Sequence, residues 1–279
     1  MNKRLTVPDI VSKKGKEKIV MLTCYTAQMA KILDNHVDIL LVGDSLGMTI
    51  YGHKDTLSVS SRMMIDHGLC VVKNSNKALV VIDMPFGTFE ADKVKAFETA
   101  AELISKTKAT AIKMEGGAEI ADTVNFIVER GIPVMGHIGL MPQKINLVGR
   151  FLSVGKNKKE ENKVLSDAKA ISDAGAFSVV IEATKTELGK KVTNLINIPC
   201  IGIGAGKYCD GQVLVIDDLL GFYDELSPKF VKRYSDMKNI INTSVKNYSN
   251  EVRNSKFPGN KYSYWILWTI ITYNRWHLI

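Results

Sequence analysis

The chain has 279 residues, 46% hydrophobic and 24% charged, the balance of an ordinary globular protein. That excludes a disordered or fibrous chain, and a domain of this size buries enough surface to need no disulfide staple. Lys and Arg outnumber Asp and Glu by 37 to 29, a net charge of +8. The lysines are scattered or, in Lys13–Lys18 and Lys156–Lys163, interleaved with Glu, Gly or Asn. This reads as a solvated face that attracts anionic substrates, not as a nucleic-acid stripe.

In chain order, a short helix is expected over Val7–Lys14. Eight short apolar runs follow: Ile19–Cys24, Val37–Val42, Ala78–Ile82, Ala109–Met114, Pro133–Gly136, Phe177–Ile181, Pro199–Ile203 and Val213–Ile216. Near-continuous apolar runs are the signature of strands buried on both faces. Between them lie helical stripes at i, i+3, i+4, i+7 spacing. Lys93–Ser105 carries Val94, Phe97, Ala101 and Ile104. Glu119–Arg130 carries Ile120, Val124, Ile127 and Val128, and Lys163–Ala174 carries Val164, Leu165, Ala168 and Ile171. A long helix is expected over Pro228–Val252.

Eight strands alternating with helices predict an α/β fold of the (β/α)8, or TIM, barrel type in a single domain over 1–264. The rival is an open doubly wound sheet. Gly202-Ile203-Gly204-Ala205-Gly206 has Lys207 where a dinucleotide fingerprint needs its third glycine, and there is no Walker A loop. Too few residues separate runs seven and eight for a full crossover helix, so that unit is expected to be degenerate. Cys24, Cys70, Cys200 and Cys209 show no Cys-x-x-Cys spacing, which suits a reducing cytoplasm. No apolar segment of a leader follows the first residues. The longest membrane-like stretch, Trp265–Thr272, falls far short of the ~18 residues of a span.

The active site of such a barrel lies at the C-terminal ends of its strands. Runs two to six end in Gly43-Asp44-Ser45, Asp83-Met84-Pro85, Lys113-Met114-Glu115, His137 and Glu182. Ionisable groups at such positions are costly unless paired or bound to a ligand, and five in succession mark a site. Asp44, Asp83 and Glu115 repel one another at one mouth unless a cation sits between them. Oxygen donors alone suit Mg2+ or a similar hard divalent ion. Lys113 pairs with a substrate carboxylate, forms a Schiff base, or merely neutralises Glu115; the acidic cluster favours the first. Glu182 reads as a general base in apolar surroundings or as a surface carboxylate opening a helix. His137 reads as a donor to an oxyanion or as a core histidine.

These segments, with Gly136-His137-Ile138-Gly139-Leu140, Pro142-Gln143 and Asp210-Gly211-Gln212, stand in the order and spacing of the ketopantoate hydroxymethyltransferase family. The resemblance runs from about Val7 to Tyr264. It implies a Mg2+-dependent barrel enzyme that moves a one-carbon unit from 5,10-methylenetetrahydrofolate to 3-methyl-2-oxobutanoate, giving 2-dehydropantoate and tetrahydrofolate on the route to pantothenate and coenzyme A. By motif position Asp44, Asp83 and Glu115 hold the metal, Glu115 directly or through water. Asp44, Ser45, Asp83 and Lys113 bind the keto acid, and Glu182 accepts the proton. His137, read from its position on the strand alone, is a candidate for contact behind these groups. The resemblance also implies a cytoplasmic homo-oligomer, a decamer, with no nucleic-acid partner and no membrane span.

The chain departs from the family in three places. Asn74-Ser75-Asn76-Lys77 replaces a basic-glycine turn, and Asp217 stands where the family often has His. The apolar extension 265–279, which holds Trp265, Trp268 and Trp276, follows a loosely matching end; it packs on a neighbouring subunit, touches a membrane surface or is read-through of non-selected sequence, the first being the favoured reading. The competing enzyme reading is a Mg2+-dependent carbon–carbon lyase or mutase of the phosphoenolpyruvate mutase/isocitrate lyase type, which needs no folate.

Overall fold

The computed structural model describes residues 3–149, 153–223 and 228–264. The extension 265–279 lies outside the described residues. Eight parallel strands pair in sequence order: β1 (Ile19–Thr23), β2 (Ile39–Val42), β3 (Leu79–Asp83), β4 (Ala111–Glu115), β5 (Val134–Gly139), β6 (Ser178–Glu182), β7 (Cys200–Ile203) and β8 (Gly211–Leu214). β8 returns to β1 with Ile19 opposite Gly211 and Leu22 opposite Leu214, which closes the barrel and excludes an open sheet.

Each expected strand is present, with shifted ends. β8 lies earlier than Val213–Ile216, and Ile216 instead opens the helix Ile216–Leu220. The reason is Gly211, which sequence patterning discounts as a strand residue. A Cβ there would lie 2.5 Å from the Ile19 carbonyl oxygen, so only glycine lets the two strands meet. β7 and β8 are joined by residues 204–210 without a helix, the degenerate unit expected.

Helices Ala27–Leu33, Ser61–Lys73, Lys93–Thr107, Ala121–Val128, Lys158–Asp173 and Thr186–Leu195 follow β1 to β6 in turn. Side chains of Thr26, Ser60, Asp92 and Asn157 accept from the first-turn amides of their helices, which fixes where those helices begin. In Lys93–Thr107 the fully buried face is Ala96, Ala100 and Leu103; Phe97, Ala101 and Ile104 flank it, and Val94 is exposed. The expected stripe was therefore rotated by about one residue.

The N-terminal helix is Val7–Ser12, opened by a capping box between Thr6 and Asp9. Its Ile10 belongs to the same buried cluster as Ile19, Met21, Ile39, Leu79, Val81 and the other inward residues that fill the barrel interior. The C-terminal helix runs Met237–Arg253, not from Pro228, because Asp236 caps it by accepting from the Asn239 amide. Among the described residues no helix is long and apolar enough to cross a membrane.

Candidate active site

Successive side chains of a strand alternate between its two faces. Val81, Ala111, Met135 and Val180 point into the barrel. Asp83, Lys113, His137 and Glu182, two residues further on, and Glu115, two beyond Lys113, share that parity. Strand period alone therefore puts a ring of ionisable groups above an apolar floor. Asp44, Asp83, Lys113, Glu115 and His137 are all 5% exposed or less, whereas the Glu182 side chain is 15% exposed.

Gly43 shares the inward parity of Ile39 and Leu41. A Cβ there would come within 2.9 Å of Ser45 Oγ and 3.4 Å of Asp83 Oδ2, so the glycine keeps space between those two groups. Gly139, at φ +90°, ends β5; a Cβ there would lie 2.5 Å from the Glu182 carbonyl oxygen. It lets β5 and β6 approach at the level of Glu182. Ala183, directly after Glu182, holds φ +49°, a left-handed conformation that a non-glycine residue adopts at some cost.

The buried groups are paired across strands. Lys113 Nζ lies 2.7 Å from Asp83 Oδ1, and the Asp44 amide donates to Asp83 Oδ2 at 3.0 Å. Glu115 Oε1 lies 3.1 Å from His137 Nδ1, and its Oε2 accepts from the Gln143 amide at 3.0 Å. His137 Nε2 lies 3.2 Å from Glu182 Oε2, so the imidazole stands between two carboxylates. Gln143 Nε2 donates to Asp44 Oδ2 at 2.8 Å and to the Met84 carbonyl at 2.9 Å. Tyr25 Oη lies 2.8 Å from Ser45 Oγ.

The charges follow from these contacts. Burial, then the neighbouring Asp83 and Glu115, push the Asp44 carboxyl up to about 8. Burial pulls the Lys113 ammonium down, but Asp83, Glu115 and Asp44 outweigh it and hold the group above its usual range. A lysine held protonated is a poor Schiff-base nucleophile, so Lys113 is a fixed cation here. Burial favours neutral Glu115, and His137 and Lys113 reverse this, leaving its carboxyl below the usual range. Burial and Lys113 lower the His137 imidazole, while Glu115 and Glu182 raise it further, to about 9.

Two expectations change. Lys113 neutralises Asp83 on the neighbouring strand, not Glu115 on its own, because the register sets Asp83 opposite Lys113. Glu182 is not in purely apolar surroundings, since it faces His137. Sequence reasoning missed Tyr25 and the full role of Gln143. Tyr25 follows β1 as the other groups follow their strands, and that position was the available signal. Asp217 opens the helix after β8, and burial pushes its carboxyl up.

Among the described residues no three His, Cys, Asp or Glu side chains close around a single point as a ready-made metal cage. The expected three-carboxylate set of Asp44, Asp83 and Glu115 is therefore not closed around one point, and Glu115 is instead engaged by His137 and the Gln143 amide. A hard ion of the Mg2+ type can also be held by one or two carboxylates with water and substrate oxygens. Asp44 supports the same donor set. It is a buried carboxylate without a counter-cation of its own, and no described donor reaches its Oδ1.

A closed (β/α)8 barrel with ionised side chains gathered at the C-terminal ends of its strands defines a TIM-barrel enzyme. The sequence profile of the ketopantoate hydroxymethyltransferase family matches residues 4–260, and the chain belongs to that family. The 3-methyl-2-oxobutanoate hydroxymethyltransferase of Paramagnetospirillum magneticum is 49% identical over 262 residues, covering 94% of this chain and 96% of that protein. The enzyme of the same name from Sphingopyxis alaskensis is 50% identical over 256 residues, covering 92% and 89%. Among solved structures, phosphonopyruvate hydrolase superposes with a TM-score of 0.61 at 10% identity, over 94% of this chain and 93% of that one. A 2,3-dimethylmalate lyase of the PEP mutase/isocitrate lyase superfamily gives 0.57 at 12% identity, over 92% and 93%. At such identity these two share the fold alone.

Proposed function

We propose that the chain transfers a hydroxymethyl group to 3-methyl-2-oxobutanoate, with 5,10-methylenetetrahydrofolate as the one-carbon donor, forming 2-dehydropantoate and tetrahydrofolate in pantothenate biosynthesis. The observation that carries the mechanism is the placement of Glu182. It stands on β6, and β6 lies diametrically opposite β2, which Asp44 follows, in a ring of eight strands. A small keto acid held at Asp44 and Asp83 thus has a carboxylate facing it from the far side.

Asp44 and Asp83 would hold a hard divalent ion, with Glu115 at one remove. When bound, it would polarise the keto carbonyl and offset the charge that develops on that oxygen. Ser45, oriented by Tyr25, donates to the keto acid. Lys113 stays protonated and attracts the substrate carboxylate while anchoring Asp83. Glu182 Oε takes the C3 proton, the C3 electron pair attacks the folate methylene, and one of that carbon's two C–N bonds breaks. Water adds its oxygen to the same carbon as the second C–N bond breaks, and the two freed folate nitrogens take up the proton from C3 and one from the water. His137 stands 3.2 Å from Glu182 Oε2 and orients the base, and Glu115 holds the ring in place.

The purified protein supplied with both substrates and Mg2+ is expected to form 2-dehydropantoate and tetrahydrofolate in equal amounts. Product formed without folate would contradict the assignment and favour lyase-type chemistry. The reading also includes a homo-oligomeric assembly, supported by the family resemblance.

A further inference from the structure

Gln143 is 5% exposed and sits on the turn Pro142–Lys144 that follows β5. Its side-chain nitrogen meets two acceptors, Asp44 Oδ2 at 2.8 Å and the Met84 carbonyl at 2.9 Å. Two acceptors on one atom identify it chemically as the NH2 group, because the amide oxygen can donate to neither. Its Oε1 is buried and meets no donor among the described residues, so the side chain is anchored through its nitrogen. The backbone amide of the same residue holds Glu115 Oε2 at 3.0 Å. One residue from the β5 loop therefore ties together the loop after β2, the end of β3 and the end of β4.

The consequence falls on Asp44. Its Oδ2 is pinned by Gln143, its backbone amide is tied to Asp83 Oδ2, and no described donor reaches its Oδ1. We infer that Gln143 is the positioning residue that sets the metal-binding pose of Asp44, holding one carboxylate oxygen so that the other is presented to a divalent cation. The inference rests on the metal reading above. Groups that orient a metal ligand typically account for ~10–100-fold in metal affinity.

The test titrates the metal-free full chain with Mn2+, followed by the electron paramagnetic resonance of the free ion, and repeats this with Gln143→Met. Methionine keeps the length and bulk and removes both donors, while the backbone bond to Glu115 stays. Mn2+ affinity is expected to fall roughly 10–100-fold, with the melting temperature of the metal-free protein little changed. Gln143→Asn keeps an amide but withdraws it by one methylene. It is expected to weaken binding in the same direction and serves where the methionine variant fails to fold. A folded variant that binds within twofold of the parent overturns the inference and leaves the metal reading intact. A parent chain that binds no Mn2+ overturns both.

Discussion

Glu182→Gln is expected to lower turnover by roughly 10²–10⁴-fold, the usual contribution of a positioned base. Metal binding is expected to survive. Glu182 is four strands from Asp44 and shares no hydrogen bond with Asp44 or Asp83. The amide is the same size and can occupy the same position 3.2 Å from His137 Nε2, so the fold should keep its melting temperature within a few degrees. Steady-state turnover and Mg2+-dependent thermal shift on the same sample check this. A variant that turns over like the parent removes Glu182 from the role of base. A variant that loses turnover and metal together makes Glu182 part of the metal site instead.

Asp44→Asn is expected to stabilise the metal-free protein and abolish its response to Mg2+. The folded chain keeps on Asp44, up to about pH 8, a proton that the unfolded chain releases in the ordinary carboxylate range. The unfolded state therefore binds fewer protons across that window, and stability falls as pH rises through it, levelling off above. Asparagine has no charge to bury and still accepts from Gln143 Nε2. In EDTA the variant should melt above the parent by a margin that grows from about pH 5 to about pH 8. Added Mg2+ should raise the melting temperature of the parent only. Equal melting temperatures across that range would show that Asp44 is not a strained buried carboxylate. The trade of stability against function is common where a site gathers like charges.

The barrel was legible because both-face burial writes strands as apolar runs, and because five runs ended in ionisable residues at equivalent positions. Inward parity was legible too, since Asp83, Lys113, His137 and Glu182 each follow an interior residue by two. The partners were not. Lys113 lies two residues from Glu115 in the chain, yet its ion pair is with Asp83, because the stagger of β3 against β4 is a property of the closed barrel. The placement of His137 between Glu115 and Glu182 also depends on strand register, which sets Glu115 opposite His137 and Gly139 opposite Glu182. Gln143 is invisible to strand patterning because it acts from a loop, where no period constrains a side chain. The β8 strand was misplaced for a related reason. Gly211 contributes through its lack of a side chain, which hydrophobic patterning cannot score.

The central claim is that the mouth of this barrel removes the C3 proton of a keto acid with the help of a divalent ion. Proton NMR of 3-methyl-2-oxobutanoate in D2O with the purified protein tests it without folate. With Mg2+ the C3 proton signal is expected to disappear by exchange, and with excess EDTA it is expected to persist. A folded protein with bound metal that leaves the C3 signal untouched would contradict the account.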